Sequence, residues 1–97
     1  MSIKTLENRL SNYNFDTKKS YTSGYNNHIL NRKIMDGSFS VPVWGTENQY
    51  SLSGLGIKPN EEPTKIRFGN NHNGFKHYSV YNLEQTYSVF KPILKLG

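Results

Sequence analysis

The chain has 97 residues, no cysteine, and 12 Lys+Arg against 7 Asp+Glu, for a formal net charge of +5. That length holds one domain, residues 1–97, and without cysteine there is no disulfide framework, no thiolate zinc site and no Cys nucleophile. No run approaches the ~18 apolar residues of a membrane helix, and the polar start Met1-Ser2-Ile3-Lys4-Thr5-Leu6-Glu7 lacks the apolar stretch of a signal peptide, so a cytoplasmic protein is expected.

Ile3, Leu6 and Leu10 fall at helical spacing and predict a first helix over residues 2–12, with Ser2 as N-cap. Asn12-Tyr13-Asn14 is a turn-rich stop, and residues 15–20 read as a loop carrying Lys18 and Lys19. Ile29, Leu30, Ile34 and Met35 predict a second helix over residues 26–35, closed by Asp36-Gly37. Residues 38–44 alternate polar and apolar, which predicts a short extended stretch that Pro42 confines to a sheet edge. Thr46 and Gln49 have capping-box spacing and predict a short helix through Leu52, ended by Gly54-Leu55-Gly56.

Residues 57–64 form a loop with two prolines, Pro59 and Pro63. Lys65-Ile66-Arg67-Phe68 and residues 75–81 alternate across the turn-forming run 69–74, which predicts a β-hairpin. The tail is mixed, and Pro92 breaks any long helix. The expected fold class is α+β: two N-terminal helices, a small antiparallel sheet and a short helix packed on it.

Side chains for catalysis are thin on the ground. His28, His72 and His77 form no HExxH pair and have no carboxylate cluster beside them, so no metal and no other cofactor is expected. No serine sits in a G-x-S-x-G elbow, and Glu61-Glu62 read as solvated loop carboxylates. Gly54-Leu55-Gly56 lacks both the third glycine and the preceding strand of a dinucleotide loop. The expectation is a protein that is not an enzyme.

What stands out is aromatic residues among cations. Only 34% of the chain is hydrophobic, yet 13% is aromatic, too ring-rich for a disordered chain. Binders of single-stranded nucleic acid need this mixture: cations follow the backbone and rings stack on bases at about 1–3 kcal/mol each. The candidate contacts are Lys18, Lys19, Tyr21, Tyr25, Arg32, Lys58, Lys65, Arg67, Lys76 and Tyr78. About half the rings are expected to pack inward, Trp44 among them, because alternate strand residues face the core.

Three blocks in order carry a family resemblance. Ser20-Tyr21-Thr22-Ser23-Gly24-Tyr25-Asn26-Asn27-His28-Ile29-Leu30 resembles an aromatic-x-Gly-x-Asn-x-x-x-Leu opening. Trp44-Gly45-Thr46-Glu47-Asn48-Gln49, with Leu55-Gly56 after it, is similar to a Trp-x-Thr-x-x-Gln…Leu-Gly element. Tyr78-Ser79-Val80-Tyr81-Asn82-Leu83-Glu84-Gln85-Thr86 is similar to a closing Tyr-x-Val-Phe-Asn-x-x-Gln signature. Together they resemble the N-terminal, single-stranded-DNA-binding domain of ArdC-type antirestriction proteins, also found in plasmid primase-like and LtrC-like proteins.

The resemblance spans about residues 20–86. It implies a single-stranded DNA binder of a plasmid, phage or other mobile element that protects incoming DNA from host defence. The metalloprotease domain of ArdC-type proteins, with its HExxH helix, has no counterpart in these residues, so protease activity is not expected. Lys58-Pro59-Asn60-Glu61 stands where the family has a Lys-Gly-Glu turn.

For the motif residues the physical expectations are fold-forming. Gly24 permits a tight entry into the second helix, Asn26 serves as N-cap or polar contact, and Thr46, Gln49 and Asn82 act as caps. The alternative partner is a protein, a host defence nuclease of the restriction or CRISPR type, although a basic chain does not mimic DNA. A phage assembly protein binding its own copies is a third reading.

Overall fold

A seven-residue and a nine-residue strand, β4 (Thr64–Asn70) and β5 (Gly74–Asn82), form the hairpin that the alternating pattern predicts. The structure, a computed structural model, describes residues 11–70, 72 and 74–89. Of the helix predicted over residues 2–12, only Ser11 and Asn12 fall among these, and neither is helical; the remainder, like Pro92, lies outside the described residues.

Before the hairpin come β1 (Tyr13–Asn14), α1 (Gly24–Met35), β2 (Val43–Gly45), α2 (Glu47–Leu52) and β3 (Leu55–Ile57); after it come a 3-10 turn (Leu83–Gln85) and β6 (Thr86–Ser88). The main sheet has the order β1-β2-β5-β4, and β3 pairs with β6 in a small second sheet. β1 runs parallel to β2, while the other pairings are antiparallel. No helix among the described residues is long and apolar enough to cross a membrane.

Caps explain where the helices begin and end. Ser23 caps α1 by accepting from Asn26 N–H, so the helix starts two residues before the predicted residue 26. Gly24 has an ordinary backbone conformation with open space around it, so a tight entry is not what that glycine provides. Gly37, at φ +86°, ends α1, and Arg32 and Lys33 in its last turn complement the carbonyl end of the dipole. Thr46 and Gln49 form the full capping box of α2, and Asn82 and Gln85 repeat the device on the 3-10 turn.

The strand expected over residues 38–44 is confined to β2, and β2 is interior rather than an edge. Pro42 sits just before it, where its missing N–H costs nothing and its carbonyl accepts from Tyr13 N–H at 2.9 Å. Strands β1, β3 and β6 went unanticipated, since two or three residues give alternation no room to register. The turn expected over 69–74 is tighter than its composition suggested, with Asn70 paired to Gly74. In the loop after β3, Asn60 takes the left-handed conformation at φ +67°, which asparagine tolerates better than most residues.

The core is Tyr21, Leu30, Trp44, Ile66 and Val80, with Ile34 and Phe39 packed against it. Trp44 is fully buried as expected, and Phe39 meets it edge-on at 5.6 Å. The asparagines, read from the sequence as turn formers, are partly core residues: Asn12, Asn26 and Asn82 are fully buried. Asn12 Oδ1 accepts from Trp44 Nε1–H at 2.8 Å, and its Nδ2 donates to Asn31 Oδ1 at 2.6 Å. Asn82 Nδ2 donates to the Val41 carbonyl at 2.7 Å. Each such amide satisfies polar groups that burial would otherwise leave unpaired.

Glu61 is not simply solvated. Its carboxylate accepts from Gln85 Nε2 at 2.9 Å, which ties the Pro59–Pro63 loop to the 3-10 turn.

Candidate nucleic-acid interface

An open cleft of about 470 Å³ lies between the 14–23 loop, the starts of α1 and α2, and one face of the hairpin. Successive strand residues point to opposite faces, so Ile66, Phe68, Tyr78 and Val80 share the cleft face of the β4–β5 pair. Ile66 and Val80 form an apolar floor, while Phe68 and Tyr78 stay 48% and 41% exposed and meet edge-on at 5.3 Å. Lys19, Thr17, Ser20, Thr22 and Ser23 supply a polar rim on the opposite side. A volume of this size, with aromatic walls and a few polar groups, suits a small planar ligand.

Asn14 organises the end of the cleft near α2. Its Oδ1 accepts from the backbone N–H of Asp16 and of Thr17, both at 2.9 Å, which holds the 14–17 turn. Its Nδ2 donates to the Tyr21 hydroxyl at 2.9 Å and to Gln49 Oε1 at 3.0 Å. Gln49 Oε1 also accepts from Thr46 N–H at 3.0 Å as part of the capping box. Burial pushes the Tyr21 phenol above its ordinary pKa, with the Asn14 hydrogen bond pulling the other way.

A second feature lies on the other face of β4. The Arg67 guanidinium is sandwiched between the rings of Tyr25, 3.6 Å from its centroid, and Phe75, at 4.1 Å. Both rings remain partly exposed. Contact with two ring faces restrains the guanidinium while leaving it its charge and its fork of donors.

The backbone beneath Arg67 is pinned as well. Asn26 Nδ2 donates to the Arg67 carbonyl at 2.8 Å, and Arg67 N–H donates to Asn26 Oδ1 at 2.9 Å. One side-chain amide thus completes the ladder of an edge strand, as a further strand would. This is the polar contact expected of Asn26; the N-cap role belongs to Ser23.

The ten predicted contact residues sort into groups. Lys19, Tyr21 and Tyr78 line the cleft, and Lys76 lies across the ladder from Phe68. Tyr25 and Arg67 form the stack, and Lys65 shares the Arg67 face. Tyr21 is corrected from an exposed stacking ring to a core ring, 8% exposed, because it packs with Leu30, Trp44, Ile66 and Val80.

The remaining three stand apart. Lys18 is turned back, its Nζ donating to the Phe15 carbonyl at 2.8 Å. Arg32 lies in a separate hollow with His28, Ile29, Lys33 and Asp36, and Lys58 Nζ donates to the Glu84 carbonyl at 3.1 Å.

Sequence reasoning left Phe68, Phe75, Asn14 and Gln49 out of the candidate set. Strand alternation was signal enough for the two phenylalanines, since Phe68 follows Ile66 by two and Phe75 opposes Gly69. Asn14 and Gln49 lie 35 residues apart, and no local pattern joins them.

A family model described as the N-terminal domain of anti-restriction factor ArdC matches residues 2–90. Two crystal structures of the antirestriction ArdC protein from plasmid R388 have a similar fold. The metal-free form aligns with a TM-score of 0.65 at 17% identity over 90% of this chain and 39% of its own. The Mn(II)-bound form aligns with a TM-score of 0.69 at 15% identity over 90% of this chain and 38% of its own. The present chain therefore spans less than two-fifths of the length of those ArdC chains. No curated protein sequence matches it. With the family model running through α1, the hairpin and the cleft between them, the chain belongs to the family of ArdC N-terminal domains.

Proposed function

We propose that this domain is a single-stranded DNA-binding module, carried by a phage, plasmid or other mobile element and acting against host restriction or a related defence. It works by binding, without catalysis of its own, in the cytoplasm of the host. The observation that carries the reading is the cleft, where the exposed Phe68 and Tyr78 rings face a rim bearing Lys19. Bases stack on such rings whatever their sequence, and cations track the phosphates between them. The Arg67 stack adds a flat guanidinium suited to a phosphate. A net charge of +5 steers a polyanion toward both features.

Fluorescence anisotropy of a labelled single-stranded oligonucleotide, with a duplex control, tests the proposal at about 50 and 200 mM salt, a range over which phosphate contacts lose affinity steeply. The expected result is binding that prefers the single strand and weakens with salt. Absence of binding at the lower salt overturns the proposal and turns attention to a host defence nuclease as partner.

A further inference from the structure

The orientation of the cleft's amide groups follows from the backbone. Asn14 Oδ1 faces two backbone N–H groups, of Asp16 and Thr17, so it must be the amide oxygen. Nδ2 is then the group facing Tyr21 and Gln49, and the Tyr21 oxygen accepts rather than donates there. Gln49 is fixed by the same logic, because its Oε1 receives both Thr46 N–H and Asn14 Nδ2. Two donors are left over: the phenolic proton of Tyr21 and the Nε2 hydrogens of Gln49 have no acceptor among the described residues. Both side chains line the cleft, and Tyr21 is more than nine-tenths buried. A buried donor without a partner is costly, so the arrangement calls for an acceptor from the ligand.

We infer that the cleft holds one splayed-out base and favours those with a carbonyl oxygen at pyrimidine C4 or purine C6, thymine or uracil and guanine, over cytosine and adenine, which carry an amino group there. This rests on the single-stranded DNA reading. A carbonyl oxygen accepts from the Tyr21 hydroxyl and the Gln49 amide, whereas an amino group opposes donor to donor. Phe68 and Tyr78 flank the base on the hairpin side. A phosphate is also an acceptor, but the exposed Lys19 on the rim suits it better than the phenol of the buried Tyr21.

The probes are labelled dU12 and dC12, which differ only in the C4 substituent and the N3 proton. The 97-residue chain is expected to bind dU12 about tenfold more tightly than dC12, the scale of one good base contact. Tyr21→Phe, which keeps the ring and removes the donor, is expected to bring the two within about twofold. If that variant loses its fold by circular dichroism, Gln49→Glu replaces it: the carboxylate keeps the capping acceptor, removes the second donor and shifts preference toward dC12.

Equal affinity of the parent chain for dU12 and dC12 overturns the inference and leaves the DNA-binding reading standing. So does a parent preference for dU12 that persists unchanged in a folded Tyr21→Phe variant. Failure to bind either oligonucleotide overturns the DNA-binding reading, and this inference with it.

Discussion

Asn26→Ala removes the amide that pairs with both backbone groups of Arg67. The side chain is fully buried, and its two hydrogen bonds, at 2.8 and 2.9 Å, span 41 residues of sequence. Each is worth about 0.5–1.5 kcal/mol net, and the partners left behind carry a further desolvation cost where water does not reach them. The expected loss is about 2–3 kcal/mol. For a domain of this size each kcal/mol moves Tm by roughly 4–8 °C, so the midpoint falls by roughly 10–20 °C. The single tryptophan, Trp44, is in the core and reports unfolding directly in a urea titration. Asn26→Asp sharpens the test: a carboxylate accepts from Arg67 N–H but repels the Arg67 carbonyl, so this variant loses at least as much stability at neutral pH. A midpoint for Asn26→Ala that corresponds to less than about 0.5 kcal/mol, the scale of an ordinary surface change, refutes the argument that this amide closes the edge of β4.

Three further outcomes are expected. Arg67→Lys keeps the charge but loses the planar stack between Tyr25 and Phe75, and single-strand affinity by anisotropy is expected to fall by about tenfold, as for other stacked or bidentate arginines. Phe68→Ala removes one exposed ring beside the cleft and costs about 1–3 kcal/mol of binding with unchanged salt dependence, since no phosphate contact is lost. In alkali, Tyr21 and Tyr50 are both held above their ordinary ionisation range, chiefly by burial. A raised folded-state pKa contributes stability that is fully present below the unfolded value and lost as pH rises through the folded one. Urea midpoints are therefore expected to be flat with respect to these two groups up to about pH 10 and to fall above it, with tyrosine absorbance reporting the ionisation.

How much was legible in advance depended on distance along the chain. The capping box of Thr46 and Gln49, the glycine stop of α1 and the existence of the hairpin are written within a few residues of each other, and the sequence shows them directly. The ordered motifs from Ser20 to Thr86 likewise carried the family. The short strands were invisible because their pairing partners, not their own residues, make them strands: β1 exists because the N–H groups of Tyr13 and Phe15 donate to the carbonyls of Pro42 and Trp44.

For the candidate site the division is similar. From the sequence came the kinds of residue a nucleic-acid surface needs, rings and cations close together, and the exclusion of cysteine chemistry. Tertiary structure decided which of them converge. It drew Tyr21 into the core, set Lys19 across a cleft from Phe68 and Tyr78, and placed Arg67 between two rings on the opposite strand face. Asparagine shows the division most plainly, for an amide reads as a turn former from its local propensity. Whether it instead ends up buried, holding a strand edge or orienting a phenol, is settled by backbone groups that arrive from elsewhere in the chain and must be satisfied once water is gone.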